Sequence, residues 1–281
     1  MKTVIFAFIF SVVCPAAFLS AGDASPAGVL KSTAPGGAAA GLTDMALIPG
    51  GEFVMGSAEE EGSVNEHPSH KVFLSPYYMD KYEVTAARYK SFAAAAGKEV
   101  RRQPFPDKEN CPVVYVHWYE ASAFCEYYGK RLPTEAEWEM AARGGSDGKY
   151  CFGSDAGGLG EYAWYWSNSG KKIHPVGQKK PNDYGLYDMH GNVLEWTADW
   201  SGAGYYAVSP GKNPAGPEKG EDKVVRGGSA YATADMCRSA HRMKSSPYTP
   251  YSGKGFRCAA PAVPAAAVSM AGSTEAAAAQ R

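Results

Sequence analysis

At 281 residues the chain is long enough for one large domain with a substantial core or for two small ones. Its formal net charge is -1, with 28 basic and 29 acidic residues interspersed, which excludes a basic face or an acidic tail, and no nucleic-acid partner is expected. Eighteen Tyr and 6 Trp beside 32 Gly and 19 Pro exclude a helical bundle and favour a loop-rich fold pinned by aromatic side chains.

The N-terminus reads as an address. Lys2 precedes the apolar run VIFAFIFSVV, Pro15 breaks it, and AAFLSAGDAS supplies small residues for cleavage near Ala21 or Gly22. That layout predicts a secretory signal over 1–22 and a protein exported to a periplasmic or extracellular compartment. The run is short for a membrane span, so no stable span is expected after cleavage. Cys14 would serve a lipoprotein signal, but Val13 is bulky where that signal takes a small residue. Export places Cys111, Cys125, Cys151, Cys237 and Cys258 under oxidising conditions, where pairing leaves one thiol over or one intermolecular bridge.

Residues 23–42 are small and rich in Pro and Gly, a flexible linker, and 261–281 form an Ala/Pro-rich tail with no apolar face to dock. One domain, 43–260, lies between them. It opens with MALIPGGEFVMGS, a strand, a Pro-Gly-Gly turn and a second strand, and continues as strand through HKVFLSPYYMDKYEVT. TAARYKSFAAAAG predicts a helix opened by Thr85 and closed by Gly97, CPVVYVHW a short buried strand, and YEASAFCEYYGK a helix ending at Gly129. In RLPTEAEWEMAARGG, Thr134 and Glu137 form a capping box, Trp138 and Ala141 share a face, and Gly144 and Gly145 stop the helix.

The stretch YDMHGNVLEWTADW, 187–200, sets Asp188 and Glu195 around a Gly-Asn turn and crowds Trp196 and Trp200 behind it. Two readings are open. Either Asp188 caps a turn while Glu195 pairs with an arginine such as Arg226, or the carboxylates close a cation shell. The chain contains no P-loop or HExxH. The histidines are scattered, and His67-x-x-His70 would need a distant third ligand to hold a metal.

Six segments, GGEFVMGS, MDKYEVT, GKRLPTEAEWEMAARGG, NDYGLYDMHGNVLEWTADW, RGGS and GFRCA, resemble in order and spacing those of the formylglycine-generating-enzyme (sulfatase-modifying-factor) family over roughly residues 45–260. The resemblance implies an α+β fold, a C-type-lectin-like variant with little regular structure, and kinship with pyoverdine-maturation oxidases and sulfoxide-synthase domains. It implies a structural Ca2+ held by the Asp188 side chain, the carbonyls of Met189, Gly191 and Val193, and Glu195, a ligand set that suits a hard cation. A second calcium site of the family is eroded, since SGKKIHPVG follows Asn168 where acidic residues belong. It also implies a disulfide between Cys125 and Cys258, worth on the order of 4 kcal/mol for so large a loop.

Family members that make formylglycine oxidise a substrate cysteine with copper held by two cysteines five positions apart, a soft-ligand pair. Counted from Ser229 those positions are Ala232 and Cys237; counted back from Arg242, neither cysteine is retained. Copper is therefore not expected, and Cys237 is left as the sole candidate catalytic thiol. Ser229, Arg226, Arg242 and His241 match residues lining the family's peptide groove. The competing expectation for Arg242 and Arg257 is that they are buried partners for carboxylates on the TEAEWE helix. Two functions follow: an oxidoreductase of altered chemistry acting on a peptide or small secreted molecule, or a non-catalytic calcium-stabilised binding module.

Overall fold

The computed structural model describes residues 44–103 and 109–262. The expectations for the signal, the linker and nearly all of the tail fall outside these residues.

Strand β1 (Met45–Ile48) leads through Pro49-Gly50-Gly51 into β2 (Gly51–Met55), but the two do not pair with each other. A Cβ at Gly50 would stand 2.8 Å from Pro76, so the turn lies directly on the Ser75-Pro76 corner. That corner splits the expected long strand into β3 (His70–Leu74), which pairs with β2, and β4 (Tyr77–Asp80), which pairs with β1. Pro76 donates no ladder hydrogen bond, and the change of sheet occurs there. A late strand, β9 (Ala259–Pro261), returns to the free edge of β4, so the end of the domain closes the sheet begun at its start.

Helix α1 (Ala86–Ala95) starts at Thr85, whose hydroxyl accepts from the Arg88 N–H, and Gly97 follows at φ 63°. Helix α2 (Trp118–Tyr127) is capped by His117, a residue with no capping role in the sequence reading, whose ring accepts from the Glu120 N–H. Helix α3 (Glu135–Arg143) has the expected reciprocal box between Thr134 and Glu137 and ends on Gly144 in the left-handed region. All nine residues of α3 are buried, charged ones included. Helix α4 (Leu159–Tyr162) is a single turn.

CPVVYVHW is not a strand. Val113, Val114 and Val116 are buried as expected, but Tyr115 sits at φ 58° and breaks the extended run. The backbone N–H groups instead find separate acceptors: Val84 O for Val113, the Gln103 side chain for Val114 and Tyr251 O for Tyr115. Burial of a β-branched run was legible; its pairing depended on distant partners.

A third sheet, of four strands, carries the site. Strand β5 (Leu194–Trp200) pairs antiparallel with β6 (Lys223–Arg226), which pairs with β7 (Arg242–Ser245), and the short β8 (Lys254–Gly255) adds parallel to β5. One core cluster gathers Trp138, Met140 and Met189 with β1–β4; a second joins α1 and α2 to Trp196 and Phe256. Cys125 of α2 is bonded to Cys258, with Cα atoms 5.7 Å apart.

Candidate functional site

The loop 187–193 feeding β5 is shaped by two backbone requirements. Asp188 and Asn192 both sit at positive φ, 61° and 58°. Gly191 is required for contact, since a Cβ there would lie 2.3 Å from Trp164 O. The Asn192 amide donates to Glu83 Oε2 at 2.7 Å and the Val193 N–H to Glu83 Oε1 at 3.2 Å, which brings the strand-following segment MDKYEVT against the loop. Sequence reasoning quoted that segment but gave Glu83 no role.

Glu83, Asp188 and Glu195 are thus three buried carboxylates around one guanidinium, Arg257. Burial chiefly, then Asp188 and Glu195, raise the Glu83 carboxyl well above its usual range. Burial likewise lifts Asp188 to about 6, against the opposing bond from Gly177 N–H. Asp188 Oδ2 accepts that bond at 2.7 Å while Oδ1 is buried with no partner. Among the described residues, no hydrogen bond ends on the carbonyls of Met189, Gly191 or Val193. Four of the five expected calcium oxygens are therefore uncommitted. Glu195 differs: Oε1 accepts from Arg257 Nη2, Oε2 from Trp138 Nε1, and the single Arg257 Nε–H is shared between them, so both oxygens are engaged. The arginine partner of Glu195 is Arg257, not Arg226, although Arg226 lies opposite Glu195 across β5 and β6.

The arginines expected in the groove are placed elsewhere. Arg226 is fully buried, bound to Glu139 Oε2 and to the carbonyls of Ala240 and His241. Arg242 forks onto Glu135 at 2.7 and 2.6 Å and holds Asn65 O at 2.8 Å. The reason is helical periodicity: Glu135, Glu139 and Arg143 fall four apart on a wholly buried helix, and the two acids need cations from neighbouring strands. Arg257, read beforehand as a partner of this helix, belongs to Glu195 instead. His241 is also buried, its Nδ1 without a partner and its pKa lowered chiefly by burial.

Of the expected groove residues, Ser229 lines a cavity of about 320 Å³, its hydroxyl accepting from the Tyr231 N–H. Arg226, Arg242 and His241 are not among the residues that line it. Gly228, Ala232 and Met236 form one wall and Met243, Lys244 and Ser245 another. Cys237 is behind the first wall: fully buried, its sulfur 2.6 Å from where a Cβ on Gly228 would stand, and its thiol pushed up to about 12 by burial. His190 fixes the backbone there, its Nδ1 2.9 Å from Cys237 O and its Nε2 accepting from Cys151 N–H. The two positions counted for copper ligands thus hold a methyl group on the cavity wall and a protonated thiol in the core. That donor set does not fit Cu(I).

The sequence reading overlooked Lys254, immediately before GFRC. It is 2 % exposed, lines the cavity, donates to Ser245 Oγ at 2.6 Å and lies 3.8 Å from the Trp196 ring centroid. Burial lowers its ammonium to about 8. The only signal available was a charged residue between two glycines in a segment that otherwise reads as turn.

The family model described as the sulfatase-modifying factor enzyme 1-like domain matches residues 31–262. The chain is similar to the formylglycine-generating enzyme of Streptomyces coelicolor (35 % identical, covering 75 % of this chain and 87 % of that one). It is also similar to the inactive C-alpha-formylglycine-generating enzyme 2 of Mus musculus (32 %, 78 % and 86 %). Serine/threonine-protein kinase pkn1 of Chlamydia pneumoniae is 38 % identical over 78 % of this chain, but the chain spans only 38 % of that protein's length. Among solved structures, Treponema denticola variable protein 1 aligns with a TM-score of 0.68 at 32 % identity, covering 78 % of this chain and 95 % of that one. PvdO from Pseudomonas aeruginosa gives 0.69 at 29 %, covering 78 % and 94 %. The α+β, loop-rich architecture is accordingly the C-type-lectin-like variant of this family. The chain belongs to the formylglycine-generating-enzyme, or sulfatase-modifying-factor, family.

Proposed function

We propose that the protein is a ligand-binding member of its family that does not perform copper-dependent cysteine oxidation. It acts, after export, on a peptide or small secreted molecule. The observation that carries this reading is the cavity wall: Ala232, at one counted ligand position, puts a methyl group on it, and Cys237, at the other, is fully buried behind Gly228. A buried thiol raised to about 12 is not a nucleophile at neutral pH, and with alanine at the other counted position it has no second thiolate to share copper with. A relative named as inactive, at 32 % identity, supports the same direction.

In this reading the loop 187–193 serves the scaffold. A Ca2+ ion would be held by Asp188 Oδ1 and the carbonyls of Met189, Gly191 and Val193, with Glu195 acting through Arg257 to fix the loop rather than closing the shell itself. The unpartnered Asp188 oxygen and the excess of buried negative charge support the assignment. When bound, the ion would supply positive charge and loop rigidity; the binding surface lies on the neighbouring sheet.

The test is metal analysis of the purified full chain after dialysis, with O2 uptake measured against a Cys-containing peptide. The expected result is no retained copper, no O2 uptake and no aldehyde product. Stoichiometric copper with peptide-dependent O2 consumption would overturn the reading in favour of an oxidoreductase.

A further inference from the structure

Among the described residues three lysines are buried, and their partners differ. Lys130 Nζ meets Asp80 Oδ1 at 2.6 Å. Lys223 lies between the rings of Trp118 and Trp200 and donates to Ala198 O at 2.7 Å. Lys254 has one indole face and one hydroxyl, and among the described residues no carboxylate pairs with it. Of the three, only Lys254 lines the 320 Å³ cavity, and Ser245 lines it too. An ammonium kept almost wholly from water without a counter-ion is costly, and neither a hydroxyl nor an indole face neutralises it.

The surroundings define what would. Among the described residues no Asp or Glu lines the cavity, and its second cation, Lys244, is held by Asp222 at 3.1 Å. One unopposed positive charge suits a monoanion; a phosphate or sulfate dianion would call for several donors or a guanidinium fork. Ser245 Oγ accepts from Lys254, which leaves its own proton to donate, and the ammonium keeps two further donors. Beyond the hydroxyls of Ser229 and Thr249, the remaining lining is mainly apolar or aromatic, with Leu194, Val225, Met236, Met243, Tyr231 and Tyr251. Methionines adapt to varied shapes, and the volume lies at the small end of ligand sites, room for one aromatic or branched group.

We propose that this cavity binds a singly charged organic carboxylate, its oxygens on Lys254 Nζ and Ser245 Oγ and its apolar body against Met236, Met243, Tyr231 and Tyr251. The proposal rests on the ligand-binding reading above and names the ligand class. Such a carboxylate belongs either to the last residue of a peptide or to a free small acid. Exposed Tyr119 and Tyr248, tilted against each other with centroids 5.2 Å apart, offer an aromatic surface to a longer chain, Tyr248 directly preceding the lining residue Thr249.

Calorimetric titration of the full chain decides it, with four probes: N-acetylphenylalanine, its amide, and a hexapeptide ending in Phe with a free or an amidated C-terminus. Both carboxylates are expected to bind, and both amides at least about tenfold more weakly. Lys254→Gln and Lys254→Met should erase that discrimination while the thermal midpoint holds or rises, because an unpaired buried charge has been removed. Tighter binding of the hexapeptide assigns the site to chain ends; tighter binding of N-acetylphenylalanine assigns it to a free acid. Equal affinity for acids and amides, unchanged discrimination in a folded Lys254 variant, or no binding of any probe at millimolar concentration would each overturn the carboxylate assignment. If either variant fails to fold, the acid–amide comparison on the unaltered chain still decides. These outcomes leave the non-oxidase reading intact, which falls only on copper retention with O2 uptake.

Discussion

Glu195 and Arg257 form a forked ion pair in the interior, with Oε1 2.7 Å from Nη2 and neither side chain reaching water. Arg257 also donates to the carbonyls of Asp80, Lys81 and Tyr187, so one guanidinium ties β5 to the ends of β4 and of the loop before Asp188. Removing one partner of such a pair typically costs roughly 3–5 kcal/mol, because the other charge is left buried and alone. The two partners are not equivalent here. Glu195→Gln leaves Arg257 beside Glu83 and Asp188, whereas Arg257→Met leaves three carboxylates together. Urea unfolding should therefore rank Arg257→Met as the more damaging change. Equal costs would mean that the cluster does not act as one charge system.

The unpartnered Asp188 oxygen gives the calcium reading a stability readout. At about 100-fold excess over its dissociation constant, an ion bound only by the folded state contributes about 2.7 kcal/mol. For a domain of this size that is a rise in thermal midpoint of about 5 °C or more. Calcium should produce this rise over EGTA, Mg2+ should produce less because it demands tighter octahedral geometry, and Asp188→Asn should abolish most of it. An identical midpoint in calcium and EGTA would remove the ion from the fold.

The Cys125–Cys258 bond joins residues 133 apart, from α2 to the segment entering β9. A loop of that length removes enough unfolded-state entropy to stabilise by about 4–5 kcal/mol in the chain-entropy model. The double Cys125→Ala, Cys258→Ala variant should lose a comparable amount in urea, and reduction of the unaltered chain should lower its midpoint to a similar degree. Because both sulfurs are buried, reduction by a mild thiol should be slow until the domain opens. Rapid reduction without loss of stability would contradict the staple role.

What the sequence disclosed follows the range of the interaction involved. The Thr134–Glu137 box and the glycine stop of α3 are local and were legible to the residue. The four-residue spacing of Glu135, Glu139 and Arg143 was legible as well; the alternative that made Arg242 a buried partner of this helix is the one the structure shows, while motif matching directed Arg226 to a groove. The choice between those destinations depends on whether the helix is buried on all sides, which no local pattern states. The cavity was the least legible feature. Its lining comes from β5, β6, β7, β8 and the loops between them, and Lys254 gains its meaning only when β8 adds beside β5 and seats the ammonium on Trp196.

Asp199 offers a pH test that does not involve the calcium loop. It is buried beside the start of α3, where its Oδ2 accepts from the Glu135 N–H at 2.8 Å. Burial first, then the neighbouring Glu135 carboxylate, raises it from an ordinary 3.8 to about 8. The folded chain therefore holds this proton over a range in which the unfolded chain has released it. The contribution to stability is fully present below about pH 4 and is lost progressively as pH rises towards 8. The steepest possible slope from one such group is about 1.4 kcal/mol per pH unit. Asp199→Asn keeps an acceptor for Glu135 and stays neutral at every pH, so other titrating groups cancel in the difference between variant and unaltered chain. That difference in thermal midpoint should grow in favour of the variant from pH 5 to pH 8 and level off above it. A difference independent of pH would mean that Asp199 is already ionised in the fold, and the acidic face of α3 would then have to be balanced by charges other than Arg226 and Arg242.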